Sequence, residues 1–167
     1  MAYRNKIYVS FDADTDMHYY RLMSAWKSNP NIYFKFYDAH KINSNPNLKS
    51  ETLIKRQLQV RFLNTKIFVI LVGQNTRYLY KYVRWEIEQA LKLNLPIIVV
   101  NKNGKRILDR QLCPPIIRDE LAVHVCFKRA IIMYALNNWP AEHRQRSQNK
   151  ETGNFYYLDY VYKSVGI

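Results

Sequence analysis

The stretch KIFVILVGQNTRYLYKYVRWEIEQALKLNLPIIVVN, Lys66 to Asn101, decides the fold. It opens on KIFVILV (Lys66–Val72), an apolar run with no polar alternation. Such a run reads as a strand covered on both faces, the pattern of a central strand in a parallel sheet. Gly73–Arg77 reads as a loop, and Tyr78 to Asn94 is predicted as a helix. Leu79, Val83, Ile87, Ala90 and Leu91 form an apolar stripe at helical spacing, and Pro96 stops the helix. IIVVN (Ile97–Asn101) then returns as a second buried strand. Strand, helix and strand at this spacing make a βαβ unit with a right-handed crossover.

The pattern extends in both directions. KIYVSF (Lys6–Phe11) is the first strand candidate, and DADTDMHYYRLMSAW reads as a helix capped by Asp14, Thr15 or Asp16 and ending near Trp26. NIYFKFYD (Asn31–Asp38) alternates as a second strand, and AHKINSNPNLKSE reads as a loop. Ser50 is placed to cap ETLIKRQLQVRFLN. After the turn NGK and the break at Pro114–Pro115, AVHVCF (Ala122–Phe127) is a fifth strand, followed by the helix KRAIIMYALNNW. The prediction is an α/β fold: a five-stranded parallel sheet with helices on both faces. Residues 1–138 form the domain. In residues 139–167, the polar linker PAEHRQRSQNKETGN leads to an aromatic tail, FYYLDYVYKSVGI, expected to pack back on it.

Composition narrows the function. A chain of 167 residues with 48% hydrophobic and 23% charged residues suits one globular domain with a proper core. The 14 tyrosines suit half-buried surfaces, apolar in body and polar at the tip. Cys113 and Cys126 are too few for a disulfide scaffold and read as free thiols in a reducing compartment. Neither has a CxxC partner or a histidine at ligand spacing, so no metal is expected. MAYRNKIYVSF has no signal-peptide apolar region, and IFVILV is far too short to span a bilayer, so the expectation is a soluble cytoplasmic protein away from membranes. The net charge of +13 comes from 26 basic residues against 13 acidic ones, scattered rather than blocked. That reads as a generally cationic surface, not a nucleic-acid face.

In a parallel sheet, ligands bind beyond the carboxyl ends of the strands. That rule selects the loops after Phe11, Tyr37 and Val72, where Ser10, Asp12, Asp38, Asn75 and Thr76 stand. With four glycines and neither GxGxxG nor GxxxxGK, no phosphate cradle is present. His18, His40, His124 and His143 are dispersed, and His124 reads as a satisfied core or edge histidine. No serine sits in a nucleophile elbow. Carboxylates remain. Glu86 lies about 100° of helical rotation from Ile87, at the border of the apolar stripe, whereas Glu88 points well away. A partly desolvated carboxylate there would interact strongly with developing positive charge, as in an oxocarbenium-like transition state. Most helix acids are solvated, however, and on composition alone the favoured reading of Glu86 is a surface pair with Arg84 or Lys81.

The segments KIYVSFDADTD, YFKFYDAHKI, FVILVGQNT and VRWEIEQALKLNLPIIVVN together resemble the TIR-like proteins of bacteria, and more closely the ThsB subunits of Thoeris antiphage defence. The similarity spans Lys6 to about Val125, and the tail YVYKSVGI also looks like the family's end. The resemblance implies a flavodoxin-like sheet. It implies an NAD glycohydrolase or cyclase, with NAD as substrate and no further cofactor. Its ADP-ribose-derived product, cyclic or conjugated, would activate a partner effector of the ThsA type after a phage-derived trigger. Self-association is also implied. The W-E-I-E-x-A match places the catalytic glutamate at Glu86, engaging the nicotinamide ribose. It puts Ser10, Phe11 and Asp12 after strand one and Asn75 and Thr76 after strand three, against the substrate. It also assigns Tyr37 and Asp38 to the substrate, at the start of the loop after strand two, which in TIR assemblies contacts a neighbouring protomer. Tyr82 stands where many relatives carry tryptophan.

Each of these positions has a plain structural alternative: caps for Ser10 and Asp12, core aromatics for Phe11 and Tyr37, an Asx turn for Asn75. The alternative for the whole chain is a non-catalytic TIR-like interaction module, in which Glu86 is a surface residue. A nucleoside deoxyribosyltransferase, which shares the sheet and a glutamate nucleophile, is a further reading.

Overall fold

The computed structural model describes residues 5–26, 34–38 and 50–167, with residues 5 and 34–38 given by their backbone. The elements in chain order are β1 (Asn5–Ser10), α1 (Met17–Ala25), β2 (Phe34–Asp38), α2 (Glu51–Leu63), β3 (Ile67–Val72), α3 (Val83–Lys92), β4 (Ile97–Asn101), β5 (Ala122–Cys126), α4 (Arg129–Gln148), β6 (Asn154–Tyr156) and α5 (Asp159–Ser164). The strands form one sheet in the order β2-β1-β3-β4-β5-β6. Every pairing is parallel. The first five strands follow the flavodoxin-like order, whose direction of winding reverses between β1 and β3.

Burial explains the unbroken apolar runs. Every residue of β3, β4 and β5 is buried. Successive residues point to opposite faces, so each strand feeds two cores. Ile7, Val9, Val69, Leu71, Ile98 and Val100 pack with α1, α4 and the tail. Tyr8, Phe68, Ile70, Val72 and Val99 pack with α2 and α3 on the other face. Ser50 caps α2 as expected, its side chain accepting from the Leu53 N–H at 3.2 Å.

The structure corrects four expectations. The third helix begins at Val83, not Tyr78, because Thr76–Tyr78 form a separate 3-10 turn. The helix after β5 runs to Gln148, through the residues read as a linker and across the 138/139 boundary. Pro140 lies inside it and removes one backbone donor, yet Trp139 and His143 beside it are buried. The tail adds a sixth strand, β6, against β5, and then buries Tyr157, Val161 and Tyr162 in the first core. His124 is buried but not satisfied: neither ring nitrogen has a partner among the described residues. Burial lowers its pKa to about 4, so it sits neutral. The amino-terminal part of the second predicted strand (31–33) and the loop after it (39–49) lie outside the described residues. Cys113 and Cys126 are buried free thiols. Among the described residues, no helix is long and apolar enough to cross a membrane.

Candidate active site

Tyr8 and Ser10 are two apart on β1, so both side chains project to the face that carries α3. Glu86, in the first turn of α3, meets them there. The Tyr8 hydroxyl donates to Glu86 Oε1 at 2.8 Å, and the Ser10 hydroxyl donates to Oε2. Two residues some 76 to 78 positions upstream in the chain therefore hold one carboxylate, one on each oxygen. Tyr8 is itself positioned by stacking on Phe62, with ring centroids 4.2 Å apart, and on Phe68 at 5.8 Å.

Glu86 is 2% exposed. It lies within the buried face, deeper than the border that helical rotation alone assigns it. The ordinary pairing is absent: Arg84 bonds Glu88 at 3.1 Å, and Lys81 lies 3.9 Å from Glu51. Glu88 is the solvated acid of the two. Burial raises the pKa of Glu86 to about 7, against the opposing hydrogen bonds from Ser10 and Tyr8. The first turn of a helix also favours its charged form. The result is a carboxyl group that exchanges its proton near neutral pH while held in a fixed orientation.

A cleft of about 440 Å³ opens at the carboxyl ends of the strands. Thr15 comes from the loop after β1, Gly73, Gln74 and Asn75 from the loop after β3, and Lys102 and Asn103 from the loop after β4. Lys102 pairs with Asp16, whose side chain is almost wholly buried, and its ammonium lies 5.0 Å from the Tyr19 ring centre. Gly73 makes this possible. A Cβ there would sit 2.5 Å from Lys102 Nζ and 2.6 Å from Cε. The Asn101 side chain donates to the carbonyls of Lys105 and Ile107 at 3.0 and 2.9 Å, ordering the loop that carries Lys102.

The other expected residues divide. Asn75 is exposed in the cleft wall. Thr76 is buried and locks its own loop: its Oγ1 accepts from the Gly73 N–H at 2.9 Å and donates to the Leu71 carbonyl at 3.3 Å. Both oxygens of Asp12 are engaged within the β1–α1 loop, by the Asp14 N–H at 3.1 Å and the Thr15 hydroxyl at 2.9 Å. Phe11 stacks on Tyr20 at 5.0 Å in the core of the opposite face. Tyr37 and Asp38 end β2, in register with Tyr8 and Val9, and their side chains lie outside the described residues. Sequence reasoning missed Tyr8, Asp16 and Lys102. The i, i+2 relation of Tyr8 to Ser10 was a usable signal, as was the position of Lys102 directly after β4.

Residues 8–107, more than half of the chain, match the family described as Thoeris protein ThsB, TIR-like domain. No curated protein sequence matches the chain. Among solved structures it is similar to a 2-deoxyribosyltransferase from Bacillus psychrosaccharolyticus, with a TM-score of 0.47 and 16% identity over 62% of this chain and 77% of that one.

Proposed function

Because this chain belongs to the Thoeris ThsB TIR-like family, we propose that it cleaves NAD at the bond between nicotinamide and ribose. The observation that carries the reading is Glu86: a buried carboxylate, oriented through both oxygens by Tyr8 and by Ser10 at the carboxyl end of β1. In the proposed reaction the C1′–N bond breaks with its electron pair going to the cationic nicotinamide, which leaves neutral. The departing group therefore needs no acid. Positive charge develops at the ribose C1′ and ring oxygen, and ionised Glu86 stabilises it in a setting where water screens little. Tyr8 and Ser10 keep the carboxylate from rotating, so reorganisation at the moment of bond breaking is small. Lys102, held by Asp16, lines the cleft with Asn75 and Asn103, and these are the groups that would meet the diphosphate.

The ADP-ribosyl fragment then passes to water or to another acceptor. A cyclic or conjugated ADP-ribose product would serve as the messenger to a partner effector of the ThsA type, after a phage-derived trigger and self-association. The test is nicotinamide release by purified protein, followed by chromatography across pH. The active form of Glu86 is the ionised one, so the rate rises with pH and reaches half its plateau near pH 7. Glu86→Gln removes the release at every pH, and Ser10→Ala lowers it. Full activity in Glu86→Gln would overturn the assignment.

A further inference from the structure

A second cleft, of about 600 Å³, opens at the amino-terminal edge of the strands, between the start of β3, the end of α3 and the outer half of α4. Ile67 borders it and Val72 ends β3 at the other cleft, so roughly 16 Å of strand separates the two. The polar lining consists of Lys66, Asn94, His143, Arg144, Ser147 and Gln148, with no carboxylate among them. Nearby, Arg146 is paired with Glu151 at 2.7 Å. Lys66 and Arg144 have no such acidic partner among the described residues.

His143 is 5% exposed and makes no hydrogen bond among the described residues. Its ring neighbour is Trp139, at 6.2 Å between centroids. The His143 ring lines the cleft, where a ligand can meet it. Burial lowers its pKa, and a bound anion would reverse that. Ser147 Oγ already accepts from Asn94 Nδ2 at 2.9 Å, so its own O–H remains free to donate outward. The cleft thus turns donors and cations inward, with Arg144 able to fork across two oxygens of one phosphate. Ile67, Pro96 and Pro140 add an apolar wall suited to a flat ring. The volume lies within the range of small-ligand sites.

We propose that this cleft binds a phosphorylated small molecule of mononucleotide size, at a site separate from the cleft at the carboxyl ends of the strands. The phosphate sits on Lys66, Arg144 and the Ser147 hydroxyl, and the ring lies against the prolines. The probe is AMP, titrated into the full chain and followed by NMR, with adenosine as the phosphate-free comparator. AMP is expected to shift the signals of Lys66, His143, Arg144 and Ser147 saturably, and adenosine to leave them in place. Arg144→Ala and Lys66→Ala, both at exposed positions, each weaken AMP binding about tenfold, the effect of losing a hydrogen bond to a charged group. The proposal is overturned if those four residues show no saturable shift, if the shifts fall only on the loops after β3 and β4, or if Arg144→Ala binds AMP as tightly as wild type. The readout involves no NAD cleavage, so its failure and that of the catalytic reading are separate results.

Discussion

Replacing Glu86 with glutamine should make the protein more stable as pH rises, while removing the proposed activity. Each pH unit of displacement is worth about 1.4 kcal/mol, so a carboxyl moved by burial from 4.5 to about 7 carries about 3 kcal/mol. The sign follows from proton counting. Between these two values the folded chain holds a proton that the unfolded chain has lost, so Glu86 lowers stability progressively as pH rises through that window. Buried neutral His124 works the other way: its pKa falls from 6.5 to about 4, so its contribution improves as pH rises across that range. His143 is shifted in the same direction. The wild-type profile is therefore flattened by opposing groups, and the difference between variant and wild type isolates Glu86. Urea unfolding of both proteins at half-unit steps from pH 5 to 8.5 measures it. The stability advantage of Glu86→Gln should grow by about 2.5 kcal/mol across the series and level off above pH 7.5. Parallel profiles would show that Glu86 is not a desolvated carboxyl and would refute the geometry of the site.

Gly73→Ala should displace the flexible end of the Lys102 side chain and loosen its pair with Asp16. Because that end can re-seat, thermal unfolding should read a loss of about 1 kcal/mol. Ser50→Ala removes the cap of α2 and should cost about 1 kcal/mol by the same measurement, with no change at the cleft.

Much of the fold was legible because it rests on local periodicity. The unbroken apolar runs at Ile67–Val72 and Ile97–Asn101 are buried on both faces, and the strand–helix spacing produces the parallel order. The errors arose where local pattern and tertiary packing diverge. TRYLYKY has the look of a helix start, yet Thr76 spends its hydroxyl on the loop backbone and the chain turns before Val83. PAEHRQRSQ is polar enough to read as a linker, yet that polarity is the exposed side of α4, while Trp139 and His143 pack inward. A three-residue strand such as β6 leaves no periodicity to detect; it forms because β5 offers an edge.

Helical rotation singled out Glu86 over Glu88 but left it at the edge of the stripe. Its depth depends on Tyr8 and Ser10, which only the folded sheet brings to it. Asp12 and Thr76 have the right residue types in the right loops, but their polar atoms are used to shape those loops. Lys102 and Asp16 meet across 86 residues of sequence, a relation no local motif carries.

The central claim is that Glu86 breaks the nicotinamide bond of NAD, and mass spectrometry of nucleotides tests it most directly. Extracts are compared from cells expressing the wild type, Glu86→Gln and Glu88→Gln, each with and without phage. Glu88 is exposed and bonded to Arg84, so its replacement serves as the control. The account predicts nicotinamide and an ADP-ribose-derived product in infected cells carrying the wild type or Glu88→Gln, and neither in cells carrying Glu86→Gln. The same products from Glu86→Gln, or no change in NAD under any condition, would contradict it.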